Sequence, residues 1–359
     1  MTVPVTSPHI HAPLSVQRMM IDVMVALLPA TAYGVWLFGW PAFNLLVLCL
    51  ATALASEAAA LTIAGKPITR PLTDGSAALT GWLLALSLPP WAPWWIAVMG
   101  SAFAIIVGKH LFGGIGQNIF NPAMLARVAL LISFPVELTF WVAPHPLNSP
   151  TSPGFVESLG ITFMGVSNPD AISGATLLGH VKTELGRGVE FAQALPDYYS
   201  FSAIGLGNIS GSLGETSALL LLLGGVYLLA RRIISWHIPA TMLATLALLA
   251  GVMHEINPAR FADPLYHLLS GGVMLGAFFI ATDLVTSPGT SRGQLIYGAA
   301  IGFLVYVIRT FGGYPEGVAF AVLFMNAMTP LIDHYLRPRI YGRDRSGKPL
   351  AYTHEERRQ

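Results

Sequence analysis

The chain has 359 residues, of which 54% are hydrophobic and 10% charged, and its formal net charge is +1. Soluble domains carry roughly 25% charged residues, so this chain cannot cover a water-facing surface of its size, and a water-soluble enzyme is excluded. The near-neutral balance implies no nucleic-acid partner, and a mean hydropathy of +0.62 places most of the chain in lipid.

Residues Met1 to Pro13 are polar and proline-punctuated. They lack the apolar stretch of a cleavable signal peptide, so the first membrane helix is expected to serve as the targeting signal. About ten apolar runs follow, each near the ~20 residues that cross ~30 Å of hydrocarbon. They predict helices near 20–39, 42–64, 75–89, 93–111, 120–142, 216–233, 237–255, 266–283, 294–310 and 316–335. The breaks carry Trp40-Pro41, Pro67, Pro89-Pro90, Gly113-Gly114, Pro144, Pro239, Pro264, Pro288 and Gly312-Gly313, the usual punctuation. The runs at 75–89 and 266–283 are short or glycine-rich, as in discontinuous membrane helices. The alternation of a membrane β-barrel is absent. Cys49 is the single cysteine and lies inside an apolar run, so the chain holds no disulfide, iron–sulfur cluster or structural zinc of its own.

The chain therefore divides into an N-terminal segment, 1–19, a first set of five helices, 20–142, a polar stretch, 143–215, a second set, 216–335, and a basic tail, 336–359. Ten spans put both termini on one side. That side carries Arg18, Lys66, Arg70, Lys109, Arg231, Arg232 and Arg292 together with the tail arginines, against Lys182, Arg187, Arg260 and Arg309 opposite. The bias predicts cytoplasmic termini and an outward-facing 143–215 segment. The halves also echo each other. Asp74-Gly-Ser-Ala-Ala-Leu-Thr-Gly resembles Ser270-Gly-Gly-Val-Met-Leu-Gly, and Phe112-Gly-Gly resembles Phe311-Gly-Gly, each followed by an asparagine and a proline. Two copies of five helices must run in opposite directions. The expected fold is an all-α polytopic membrane protein, an inverted five-plus-five repeat with broken or re-entrant helices.

The outward stretch contains Asp170-Ala-Ile-Ser173-Gly174-Ala175-Thr176-Leu-Leu. Gly174 and Ala175 leave the backbone open to an approaching group, and Ser173 and Thr176 supply hydroxyls. Asp170 with Ser173 reads locally as an ordinary helix cap before an apolar turn. Nothing in residue chemistry alone singles out the threonine.

The string nevertheless resembles the flavinylation motif of the membrane flavoproteins of the Rnf and Na⁺-translocating NADH:quinone reductase complexes. Gly108-Lys-His-Leu-Phe-Gly-Gly-Ile-Gly-Gln-Asn-Ile-Phe-Asn-Pro-Ala, Gly207-Asn-Ile-Ser-Gly-Ser-Leu-Gly-Glu-Thr-Ser, Phe278-Phe-Ile-Ala-Thr-Asp-Leu-Val-Thr-Ser-Pro and Gly312-Gly-Tyr-Pro-Glu-Gly-Val carry the resemblance across the chain, in order. The length, without the longer N-terminal extension of the quinone-reductase B subunits, resembles the Rnf-type D subunits. Leu284 stands where the resemblance leads one to expect proline. In that family a Mg²⁺-dependent flavin transferase uses FAD to join FMN, through its phosphate, to the last threonine of the motif. The resemblance thus implies covalent FMN on Thr176, with Asp170, Ser173, Gly174 and Ala175 around it. It also implies a non-covalent riboflavin, for which Asn118 and Asn121 in the glycine-rich Gly113–Asn121 stretch are the candidate ligands, although loop and helix capping explains them equally.

Asp22, Glu57, Arg127, Asp283 and Asp333 fall within or at the edges of apolar spans, where ionisable groups are costly and usually face a partner or a watery path. Asp22 and Asp333 read as helix-end residues. Asp283, beside Thr286, Ser287 and Pro288, is the ion-path candidate, because a broken helix there would expose carbonyls and helix-end dipoles. Gly205-Leu-Gly207-Asn-Ile-Ser-Gly211 looks like a phosphate loop only superficially and reads as a re-entrant turn. Trp91, Trp94 and Trp95 read as an interfacial belt. His180, His237, His254 and His267 lack metal-ligand spacing, and no metal is expected.

The implied function is that of a redox subunit without a complete active site of its own. It carries electrons on FMN and riboflavin in a bacterial inner-membrane complex that couples ferredoxin:NAD⁺ electron transfer to Na⁺ or H⁺ translocation. Ferredoxin and NAD chemistry then belongs to iron–sulfur and other membrane partner subunits. The rival reading is a transporter or channel for a small neutral solute such as urea or ammonia, which ten helices in an inverted repeat would suit. A passive membrane anchor fits the intramembrane polar residues less well.

Overall fold

A computed structural model describes residues 15–165, 173–196 and 200–337, with Gly342 and Lys348. The first half contains α1 (Val16–Phe38), α2 (Trp40–Ile63), α3 (Ser76–Ser87), α4 (Trp94–Ile106) and α5 (Pro122–Ser133). The intervening segment contributes α6 (Phe155–Met164), α7 (Leu177–Gly186) and the two-residue strands β1 (Trp141–Val142) and β2 (Ser173–Gly174). The second half contains α8 (Ala218–Ala230), α9 (His237–Ile256), α10 (Pro264–Leu269), α11 (Val273–Leu275), a π-helical turn at Gly276–Ile280, α12 (Ser291–Phe311) and α13 (Val318–Tyr335). The protein is an all-α multi-pass membrane protein. Among the described residues five helices are long and apolar enough to cross a membrane, and α3, α5, α6 and α8 are shorter apolar helices.

The packing repeats between the halves. In each, the second and fourth helices run parallel in close contact: α2 on α4, where Glu57 meets Lys109 near their last turns, and α9 on α12, where Ile238 and Met242 meet Gly298 and Gly302. The first helices pair across the halves in opposite directions, since Asp22 near the start of α1 meets Tyr227 and Arg231 at the end of α8. At the other end of that pair Gly34 faces Leu213 and Thr216. The fifth helices, α5 and α13, pair likewise. Small residues make these approaches possible: a Cβ on Gly302 would lie 2.4 Å from the Met242 carbonyl oxygen, and one on Gly298 2.6 Å from that of Ile238. Close backbone contact of this kind replaces the hydrophobic driving force that lipid removes.

The third element of each half is broken. α3 stops at Ser87 before Pro89-Pro90, and its counterpart is interrupted by Ser270 and by Gly271 at φ +67°. The free carbonyls at these breaks are capped by arginines from neighbouring helices, as buried helix ends require. Arg127 Nε on α5 donates to the Ser87 carbonyl at 2.9 Å. Arg309 on α12 donates to the carbonyls of His267 at 2.7 Å and Ser270 at 3.0 Å.

Two predicted helices are corrected. The run at 120–142 ends at Ser133, because Phe134, preceding Pro135, is forced out of helical geometry at φ −133°, ψ 62°. The run at 266–283 becomes α10, α11 and the π-turn. The 143–215 stretch is also more ordered than a polar loop. Its α6 packs on α2, with Asn44 Nδ2 donating to Ser158 Oγ at 3.1 Å and Thr162 Oγ1 at 3.3 Å, and it leaves Val156 and Met164 exposed.

The molecule consequently has two ends. One gathers the starts of α1 and α12, the end of α13 and the turn between α8 and α9: Asp22 meets Arg231, and Gly289 N donates to Asp333 at 3.2 Å. The other, the loop end, gathers β1, β2, α6, α7, α10 and the end of α12.

Candidate functional site

The Ser-Gly-Ala-Thr string enters the loop end as a strand and leaves it as a helix. Ser173 pairs with Val142 and Gly174 with Trp141 in an antiparallel ladder. Ala175 is exposed, and Thr176 is the N-cap of α7, its Oγ1 accepting from Gly179 N at 3.1 Å. The cap of α7 is therefore Thr176 itself, and Ser173, expected in a cap with Asp170, lies instead in β2, with Gly174 and Ala175 between it and Thr176. Asp170 lies outside the described residues. Thr176 is only 8% exposed, and its β-region φ and ψ of −65° and 156° aim its hydroxyl along the axis of α7.

α7 is held by a satellite core. Leu177, Leu178 and Val181 pack with Phe191, Ile204, Ile209, Ala262 and Tyr266, and Tyr266 Oη donates to the Leu177 carbonyl at 3.4 Å. Lys182 Nζ reaches over to cap the end of α12, donating to the carbonyls of Arg309 at 2.9 Å and Tyr314 at 2.8 Å. Partial burial holds this ammonium below the ordinary lysine range. Between α7, α10 and the end of α12 lies a cleft of about 250 Å³, lined by Lys182, Arg260, Tyr266, His267, Arg309 and Phe311 among others.

Sequence reasoning missed the charged networks that flank the broken helices. At the loop end Arg309, whose side chain is 1% exposed, pairs with Glu316 at 2.8 Å. Glu316 in turn accepts from the backbone of Gly272 at 3.2 Å and Gly317 at 3.2 Å. At the opposite end Lys109 bridges Glu57 and Ser76 at 2.8 Å each, and His110 Nε2 lies 2.9 Å from the other Glu57 oxygen. Each half thus places a buried cation, at the end of its fourth helix, against the start of its broken third helix. The signal was in the sequence: Lys109 and Arg309 both stand just before a Phe-Gly-Gly turn.

Of the three remaining candidates, Asn118, Asn121 and Asp283, the last two are brought together. Asn121 N-caps α5, its Oδ1 accepting from Ala123 N at 3.1 Å and Met124 N at 3.2 Å. Asn118 Nδ2 donates to the Phe120 carbonyl at 3.1 Å, so both amides have capping duties. Asn121 and Asp283 also line one cleft of about 50 Å³ between α1, α3, α8 and the π-turn. With its amide oriented to satisfy its neighbours, Asn326 joins the halves there. Its oxygen accepts from Asn121 N at 2.9 Å and its nitrogen donates to Tyr297 Oη at 2.6 Å. Asp283 accepts from Thr286 Oγ1 at 3.0 Å and Val285 N at 3.5 Å. Among the described residues no group of three or more His, Cys, Asp or Glu side chains is placed to hold a metal ion.

The architecture and the motif together can be set against known proteins. The sequence matches the NQR2, RnfD, RnfE family over residues 3–342. The chain belongs to this family. A relative in Halorhodospira halophila, named as the D subunit of an ion-translocating oxidoreductase complex, is 57% identical over 351 residues, covering 98% of each chain. Proteins of the same name in Stutzerimonas stutzeri and Rhodobacter capsulatus are 57% and 49% identical, over 94% and 86% of this chain and 95% and 86% of theirs. The stretch matched by the family takes in both halves of the bundle, the two broken helices and the Ser-Gly-Ala-Thr string.

Proposed function

We propose that this chain is the D-type redox subunit of a membrane electron-transport complex that couples ferredoxin:NAD⁺ electron transfer to Na⁺ or H⁺ translocation, and that it carries FMN as a phosphoester on Thr176. The observation that carries this reading is Thr176 itself. It is the final residue of the Ser-Gly-Ala-Thr string in a chain of this family, and its hydroxyl stands at the N-terminus of the ten-residue helix α7. A phosphate there meets the free N–H groups and positive dipole end of that helix, a natural anion site. The ester oxygen keeps a lone pair for Gly179 N. The flavin transferase forms the Thr176 Oγ–phosphorus bond and breaks the phosphoanhydride of FAD, with AMP leaving and the hydroxyl proton released.

When bound, FMN supplies one- and two-electron redox chemistry. The residues of the chain do the rest. β2 and α7 fix the attachment point, the satellite core under α7 keeps that point immobile, and Arg309 and Lys182 set the local charge. A non-covalent riboflavin with Asn118 and Asn121 as its ligands rests on the family resemblance alone, since the cleft that Asn121 shares with Asp283, about 50 Å³, is too small for its ring. The excess of basic residues at the end with the termini supports cytoplasmic termini and a periplasmic α7 in a bacterial inner membrane. Iron–sulfur and other membrane subunits, with surrounding lipid, complete the complex.

The test is co-expression with and without a flavin transferase. Fluorescence of the denatured chain on a gel, present only with the transferase, is the expected result. A chain that never carries covalent flavin contradicts the proposal.

A further inference from the structure

A helix on a water-facing surface turns its apolar side inward. The ten-residue α6 does the reverse. Ser158 and Thr162, one turn apart, are its buried residues, and Asn44 Nδ2 on α2 donates to both hydroxyls. Phe155, Val156, Leu159, Phe163 and Met164 point away from the protein, with Val156 80% and Met164 92% exposed. Glu157 is the one charged residue of the helix. We propose that α6 lies flat in the membrane boundary at the loop end, its apolar side seated in the acyl chains of that leaflet, although the 143–215 stretch around it is polar.

Depth is set by α2 and α4. These helices run parallel, and Glu57 meets Lys109 at 2.8 Å. Trp40 precedes Glu57 by 17 residues and Trp94 precedes Lys109 by 15, which at 1.5 Å per residue puts both tryptophans about 22–26 Å from that pair, at one level. Phe155 at the start of α6 meets the Trp40 ring, centroids 5.3 Å apart, and Phe163 near its end meets the Trp94 ring at 6.3 Å. Both ends of α6 thus stand at the height where α2 and α4 begin, and its axis runs across the bundle, in the plane of the membrane. A length of about 15 Å is enough to bridge two helices packed about 8–10 Å apart. Tryptophans at the starts of spanning helices mark the membrane–water interface.

Continuity identifies lipid as the occupant. On α2, Trp40, Phe43, Val47 and Ala51 are exposed at helical spacing, an apolar stripe that leads from α6 down a membrane-spanning helix. Asn44 stands inside this stripe. A bare amide there would be left in hydrocarbon without a partner, which is costly. The Ser158 and Thr162 hydroxyls cover it, a cover that water would make unnecessary. The apolar side of α6 extends the same stripe at its upper edge. The arrangement is that of an interfacial helix with its apolar residues at the acyl boundary, here with the protein on its polar side. It ties the segment that precedes β2 to the membrane.

The experiment uses the full chain, in a Cys49→Ala background, within membranes that contain the assembled complex. Nitroxide labels are attached through Val156→Cys, Met164→Cys and, as a water-facing reference, Gln193→Cys. All three positions are exposed, so the substitutions remove little packing. Oxygen, which partitions into lipid, should relax the labels at 156 and 164 several-fold more effectively than a water-soluble nickel chelate, and the order should reverse at 193. A nickel preference at 156 and 164 would place α6 in water and overturn the proposal. Protection of both labels from both reagents would overturn it as well, because a second copy or a partner subunit would then cover the face. Either of the two α6 labels decides alone should the other variant fail to accumulate.

Discussion

At the scale of single residues, Thr176 has two roles that substitution can separate. It caps α7, worth ~1 kcal/mol at a typical N-cap, and it is the proposed ester site. Thr176→Ala should lose both, giving an inserted protein with no flavin band and a slightly lower melting temperature. Thr176→Asp restores a cap without a hydroxyl, so it should recover the melting temperature and remain flavin-free, as in-gel fluorescence and a thermal melt would report. Asp283 is a different case. Its carboxylate is tied to Thr286 and Val285 in a turn that follows the π-helix. Asp283→Asn keeps an oxygen for those bonds and removes the charge. Flavin attachment should persist while ion uptake driven by electron transfer falls in proteoliposomes of the assembled complex. Undiminished uptake would reduce Asp283 to a structural turn residue.

At the scale of elements, the bundle depends on backbone contact at glycines. Gly302→Val places carbon against the Met242 carbonyl, where even a Cβ lies 2.4 Å away. It should cost ~1–3 kcal/mol through overpacking, read as a lowered melting temperature in detergent. Gly207 is stricter, with φ +89° and the Thr216 carbonyl oxygen 1.2 Å from any added Cβ. Its place in a glycine-rich string is steric, and the phosphate-loop likeness is accidental. These elements show what the sequence could and could not reveal. The long helices were legible because an 18-residue apolar window has one physical solution in lipid. The end of α5 at Phe134-Pro135 was marked by a proline, yet the apolar residues beyond it masked the break. α6 was missed because a ten-residue amphipathic segment flanked by Pro153 and Gly165 is too short to span. Pairing of Ser173 with Val142, and of Arg309 with Glu316, depends on tertiary contacts that no local pattern encodes.

At the scale of the whole molecule, the two ends of the bundle are chemically distinct, and the end with α7, proposed to carry the flavin, has fewer basic residues. That asymmetry predicts the sidedness. In a Cys49→Ala background, Gln193→Cys at the loop end should react with an impermeant thiol reagent added from the periplasm, and Arg292→Cys at the start of α12 should not. Both positions are exposed, so the reverse labelling would move the flavin to the cytoplasmic face. The ends also hold separate buried networks, Glu57–Lys109–His110 and Arg309–Glu316. The central claim is that Thr176 is esterified to FMN. Peptide mass spectrometry of the chain purified from cells with its transferase tests it most directly. The fragment containing Thr176 should carry the added mass of FMN less one water, with the modification on that side chain. An unmodified Thr176 fragment, or the flavin mass on Ser173, would contradict it.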